Sequence, residues 1–138
     1  MSTADPHGAA ASFAIDGVAL EAPPIEPALH VVATPIGNLE DVTLRALRTI
    51  AAADVVACED TRVTARLLER YAIRTRTVSY NDHNAASRRG RLLGALAKGR
   101  SVALLSDAGT PLVSDPGYRL VREAIAAGHR VLAVPGPS

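Results

Sequence analysis

Four polar segments of this sequence carry residue types that can do chemistry, and each follows a short apolar run. Glu59-Asp60-Thr61-Arg62 sets two carboxylates beside a hydroxyl and a guanidinium. Such a set can exchange a proton or hold a polar ligand. Equally, Asp60 or Thr61 caps a following helix while Glu59 pairs with Arg62. Asp82-His83-Asn84 places an imidazole, which titrates near neutral pH, in a polar loop where it either moves protons or meets solvent. Thr34-Pro35-Ile36-Gly37-Asn38-Leu39 contains Gly37, which lets backbone approach a ligand closely. Ser106-Asp107-Ala108-Gly109-Thr110-Pro111 runs on into Ser114-Asp115-Pro116-Gly117. This long turn-rich stretch of carboxylates and hydroxyls reads as a ligand loop or as a plain crossover with an Asp cap.

Other chemistries lack their residues. No G-x-G-x-x-G follows the first apolar run and no G-x-x-x-x-G-K-[ST] occurs, which argues against a conventional dinucleotide fold and a P-loop NTPase. Cys58 stands alone, and His7, His30, His83 and His129 are scattered, so no metal site is expected. Nothing matches the G-x-S-x-G nucleophile elbow.

The elements that must position these loops follow from periodicity. Apolar runs at Leu29–Thr34, Asp54–Cys58, Thr75–Ser79, Ser101–Ser106 and Arg130–Val134 are short and rich in β-branched residues or Ala, as strands buried on both faces are. Four amphipathic stretches separate them. The first carries Leu44, Leu47 and Ile50 after Asp41 as N-cap, and the second repeats Val63, Leu67 and Tyr71 every four residues. The third carries Leu92, Leu93 and Leu96 and stops at Lys98-Gly99. The fourth opens at Asp115-Pro116, a cap followed by proline in the first turn, and stops at Ala127-Gly128. The alternation predicts an α/β fold: an open five-stranded parallel sheet with helices on both faces. Ligands of such sheets bind beyond the carboxyl ends of the strands, where the four polar segments fall. Residues 1–28, rich in Ala, Pro, Gly and Ser, are expected to be a disordered extension, with 29–134 as the domain.

Composition sets the wider frame. The chain has 138 residues, 48% hydrophobic and only 3% aromatic, so its core must be built from Ala, Val, Leu and Ile. A single cysteine, the lack of any run near the roughly 20 apolar residues of a membrane span, and a start without early Lys or Arg suggest a cytoplasmic protein with no membrane partner. Fourteen of the 15 basic residues are Arg, and eight of them lie within 62–91 against Glu69 and Asp82. That excess is either a phosphate-binding surface, in which Arg88, Arg89 and Arg91 of the third helix would take part, or a set of solvated helix faces.

Taken together, TPIGNL(x)D(x)T(x)RAL, EDTR, DHN, SDAGTPLVSDPGYRLVREA and PGPS resemble, in order and spacing, the ribosomal small-subunit methyltransferase I family. These are 16S rRNA (cytidine-2′-O)-methyltransferases of the tetrapyrrole-methylase-like superfamily. The resemblance runs from about Leu29 to Ser138. The family's H-x-H-N-E loop is met here by Asn81-Asp82-His83-Asn84-Ala85. The resemblance implies an S-adenosyl-L-methionine-dependent enzyme that methylates a cytidine ribose of 16S rRNA within the small ribosomal subunit, and a homodimer. It implies a cofactor side formed by Pro35, Gly37, Asp107, Gly109, Thr110 and Pro111, and an RNA side formed by Glu59, Asp60, Arg62 and His83. It further implies that 135–138 begin a hinge to a second domain, so that the chain is expected to be an amino-terminal half, inactive alone. A tetrapyrrole or diphthine methylase is the alternative within the superfamily, and a non-catalytic nucleotide- or RNA-binding module the alternative outside it.

Overall fold

The described chain opens on a hairpin where the sequence suggests disorder. A computed structural model describes residues 11–35, 37–107 and 116–136, with Asp107 given by its backbone alone. Strands β1 (Ala11–Ile15) and β2 (Val18–Ala22) pair antiparallel, Phe13 opposite Leu20. Their turn is Asp16-Gly17, both with positive φ (49° and 82°), the geometry that Asp-Gly adopts most readily between two strands. Phe13 and Ala22 are buried in the same cluster as Leu47 and Ile50, and the Ala14 N–H donates to the Tyr71 carbonyl at 2.7 Å. Residues 11–22 are therefore part of the folded body, which corrects the expected disordered extension over that stretch. Residues 1–10 lie outside the described residues.

The remaining strands form the expected parallel sheet. They are β3 (Leu29–Thr34), β4 (Val55–Cys58), β5 (Thr77–Ser79), β6 (Val102–Asp107) and β7 (Val131–Val134), in the spatial order β5-β4-β6-β3-β7. Between them run α1 (Leu44–Ala52), α2 (Thr61–Arg70), α3 (Ala85–Ala97) and α4 (Gly117–Ala126). The connections through α1 and α2 cross the sheet in one direction, and those through α3 and α4 cross back. Right-handed crossovers then place the two helix pairs on opposite faces. Two separate buried clusters match that division. One joins α1, α2 and the hairpin around Val32, Val56 and Ala103; the other joins α3 and α4 around Leu29, Ala57 and Leu104. Each fully buried Leu or Val contributes about 1.5–3 kcal/mol relative to exposure. At the amino ends of β4 and β6 the Asp54 carboxylate accepts from the Ser101 N–H (2.9 Å) and hydroxyl (3.2 Å), pinning the two strands.

Helix boundaries differ from the expectation in three places. The cap of α1 is Thr43, whose hydroxyl accepts from the Ala46 N–H, because Leu39–Asp41 are taken into a short 3-10 turn capped by Asn38. On α2 Leu67 and Tyr71 are buried as expected and Thr64 and Leu68 join them, while Val63 points to solvent. Helix α4 begins at Gly117 with Pro116 at the cap position, and Asp115 lies outside the described residues. The stop of α3 is as expected: Gly99 follows Lys98 at φ +79°, where a Cβ would be strained.

Candidate active site

The sheet order makes one place at its carboxyl edge unlike the rest. Neighbouring strands β6 and β3 lead to helices on opposite faces, β3 to α1 and β6 to α4, so this edge is the switch point at which such sheets form a ligand crevice. Thr34 stands directly opposite Asp107 across this pair, and its hydroxyl donates to the Ser106 carbonyl at 3.1 Å. Pro35 is half-buried at the rim, and Gly37 is exposed beyond it. Among the described residues beyond its chain neighbours, a Cβ added at Gly37 would meet no atom within 4 Å. Of the expected cofactor residues, Pro35, Gly37 and the backbone of Asp107 thus lie at the carboxyl ends of the adjacent strands β3 and β6. Gly109, Thr110 and Pro111 lie outside the described residues.

Strands β4 and β5 end beside this switch point and carry the other set. Glu59, Asp60, Thr61 and Arg62 from the start of α2 and Ser79, Asn81, Asp82 and His83 from the end of β5 line one open cleft of about 400 Å³. All four residues expected on the RNA side, Glu59, Asp60, Arg62 and His83, are brought together in it. With strands about 4.8 Å apart, the cleft and the switch point lie roughly 10 Å from each other. A hollow of similar size, about 430 Å³, lies on α4 among Tyr118, Arg119, Arg122 and Glu123, away from every strand end.

Within the cleft the residues differ in how far they are committed. Asp60 is the N-cap of α2: its carboxylate accepts from the Arg62 N–H at 2.9 Å and pairs with the Arg62 guanidinium at 3.4 Å. Those bonds, the backbone one foremost, hold its pKa below the usual carboxylate value. The ion pair in this segment is therefore Asp60–Arg62 rather than Glu59–Arg62. His83 is exposed, with its backbone N–H bound to Asn81 Oδ1 at 2.9 Å. Cys58, just before the cleft, is buried, and desolvation pushes its pKa up, so the thiol stays protonated and inert. Ser79 and Asn81 line the cleft but are missing from the residues expected to form it. Their only signal in the sequence is a polar loop at a strand's carboxyl end.

The arginine excess divides in two. Arg88 donates to the Ser79 carbonyl at 2.8 Å and to its hydroxyl, and Arg89 donates to the Tyr80 hydroxyl at 3.0 Å and pairs with Glu123. These two are internal struts rather than free phosphate ligands, because α3 packs them onto the end of β5. Arg62, Arg66, Arg74, Arg76 and Arg91 are exposed, and Arg70 pairs with Glu40. No three His, Cys, Asp or Glu side chains gather at metal-binding distance among the described residues. No helix among them is long and apolar enough to cross a membrane.

An open parallel sheet with a switch point between β6 and β3 and a polar cleft beside it defines a ligand-binding α/β domain. More narrowly, residues 28–138 match the model of the Tetrapyrrole (Corrin/Porphyrin) Methylases, and the chain belongs to that family. It is 66% identical over 119 residues to the Ribosomal RNA small subunit methyltransferase I of Mesorhizobium japonicum, covering 86% of this chain and 40% of that protein. To the protein of the same name from Escherichia coli O157:H7 it is 50% identical over 109 residues, covering 79% of this chain and 38% of that one. The crystal structure of uroporphyrin-III-C-methyltransferase from Thermus thermophilus superposes with a TM-score of 0.62 at 25% identity, covering 81% of this chain and 49% of that one. The chain spans about two fifths of the length of the curated relatives it matches.

Proposed function

We propose that the chain supplies one domain of an S-adenosyl-L-methionine-dependent methyltransferase acting on a cytidine 2′-hydroxyl of 16S rRNA in the small ribosomal subunit. The observation that carries this reading is the juxtaposition of the adjacent β3 and β6 ends, Thr34 opposite Asp107, with a polar cleft lined by Glu59–Arg62 and Ser79–His83 on one sheet edge. When bound, the cofactor supplies an activated methyl group. The switch point fits its placement, since Gly37 is exposed there and a Cβ at that position would meet no described atom within 4 Å. Pro35, Gly37 and Asp107, with Gly109, Thr110 and Pro111, would hold it.

The residues of the chain have two tasks: to align a ribose oxygen and to take its proton. Alignment can contribute about 7–11 kcal/mol of barrier reduction, against roughly 10²–10⁴-fold from a general base, so positioning dominates. Arg62, with its side chain mostly exposed at the cleft mouth, suits a phosphate contact. Asp60 is bound up in the α2 cap, and a lowered pKa makes it a weak proton acceptor. Glu59 and His83 are the members of the set left to receive a proton. A tetrapyrrole substrate is the less favoured reading, because the two rRNA-named relatives above share 66% and 50% identity and the uroporphyrin-III enzyme 25%. We further place the protein in the cytoplasm, as a homodimer.

The test uses the full-length protein, labelled S-adenosylmethionine and small ribosomal subunits from a strain lacking the activity. Label is expected at a cytidine 2′-oxygen of 16S rRNA. Label on a tetrapyrrole and none on RNA would overturn the reading.

A further inference from the structure

The two walls of the cleft come from different strands, and one side chain joins them. The β4–β5 ladder ends with the Tyr80 N–H donating to the Cys58 carbonyl at 2.7 Å. One residue further on, Asn81 Nδ2 donates to the Glu59 carbonyl at 3.2 Å, while Asn81 Oδ1 accepts from the His83 N–H at 2.9 Å. Both partners are backbone groups of fixed polarity, so the orientation of the carboxamide is determined. The Asn81 N–H in turn donates to Asn84 Oδ1 at 2.9 Å. Asn84 Nδ2 donates to Ser79 Oγ at 3.1 Å, and Arg88 holds Ser79 from α3.

We propose that Asn81 is a positioning residue for the substrate cleft. Its carboxamide continues the ladder beyond the last backbone bond, and so fixes the segment bearing Glu59 and Arg62 against the segment bearing His83. The cleft is then preorganised, and its two walls need not be ordered when substrate arrives. The kinetic part of this inference rests on the RNA-methylating reading given above; the structural part does not.

Asn81→Asp is the discriminating variant. It keeps the acceptor for the His83 N–H and replaces the donor facing the Glu59 carbonyl by an oxygen. In the full-length protein, kcat/KM for small-subunit RNA is expected to fall roughly threefold to tenfold, the range of one lost hydrogen bond. S-adenosylmethionine affinity is expected to stay unchanged, and the melting temperature to fall by no more than about 2–4 °C. Wild-type kinetics in the variant would overturn the proposal. So would a kinetic loss matched by equal losses in cofactor affinity and melting temperature, since that reports a general structural defect. Amide NMR gives a readout independent of activity. Asn81→Asp is expected to shift resonances at Glu59–Asp60 as well as at Asp82–Asn84, and a disturbance confined to 81–84 would sink the cross-strand tie. If the wild-type protein labels no RNA, the NMR result still decides the role of Asn81 while the functional reading fails separately.

Discussion

Phe13, the single phenylalanine of the chain, is 1% exposed and lies in the cluster that holds Leu47 and Ile50. Truncating a phenylalanine in such a site to alanine removes its transfer free energy and leaves a cavity, together about 3–5 kcal/mol. The loss is bounded by the free energy with which the hairpin docks, because a sufficiently weakened hairpin peels from α1 instead. Against a typical total of about 5–15 kcal/mol, Phe13→Ala is expected to remove a large part of the stability. With a urea m-value of about 1–3 kcal/mol/M, a cost of about 4 kcal/mol lowers the midpoint by roughly 1.3–4 M. Urea titrations followed by circular dichroism measure this directly. Val18→Ala, on the same hairpin but 61% exposed, is the control and is expected to stay within about 0.5 kcal/mol. A midpoint for Phe13→Ala within about 0.5 M of wild type would mean that the hairpin is not docked in solution.

Three further outcomes are expected. Replacing Arg62, Arg66 and Arg74 by Ala in the full-length protein is expected to weaken small-subunit binding and reduce the slope of log K against log salt by about 0.7–0.9 for each phosphate no longer neutralised; Arg88→Ala should instead lower the melting temperature, and an unchanged slope in the triple variant would make the exposed arginines mere solvated surface. Asp60 has its pKa lowered by the cap, so its contribution is fully present above the ordinary carboxylate pKa and lost as pH falls through the depressed value; the stability gap between wild type and Asp60→Asn is expected to narrow below about pH 4, and a gap independent of pH between about 3 and 6 would refute it. Ala72 has φ 54°, where its Cβ costs about 1–2 kcal/mol and glycine's extra chain entropy about half of that; Ala72→Gly is expected to stabilise by about 0.5–1 kcal/mol, and any destabilisation in a thermal melt would contradict the assignment.

Much of the architecture is legible in local pattern because a parallel sheet buries its strands on both faces. Leu29–Thr34 emerges as a strand with its exact limits, and the other four runs differ from β4–β7 by one or two residues at an end. The hairpin is the clear miss, though its signal is present: Asp16-Gly17 stands between Phe13, Ile15 and Val18, Leu20 in alternation. Ala- and Pro-rich surroundings weigh against that local turn chemistry, but the apolar face of α1 that the hairpin covers outweighs them. The cleft is legible as far as its loops, since strand ends are where such sheets bind ligands. Asn81 and Arg88 are not legible. Their importance comes from bonds across β4, β5 and α3, which no spacing along the chain reveals.

The strand order also has a consequence for synthesis. Strand β3 is made first of the five, yet its two neighbours, β6 and β7, are made last, pairing Leu29 with Val102 and with Val131. While the ribosome adds the intervening residues, both edges of β3 stand unpaired, and an open apolar edge invites pairing with another chain. The hairpin and α1 arise close to β3 in the sequence and pack against one another, so they can cover one face of it before the sheet closes. The segment whose composition most suggests a loose tail is thereby available, early in translation, as a cover for the nascent strand on which the rest of the sheet assembles.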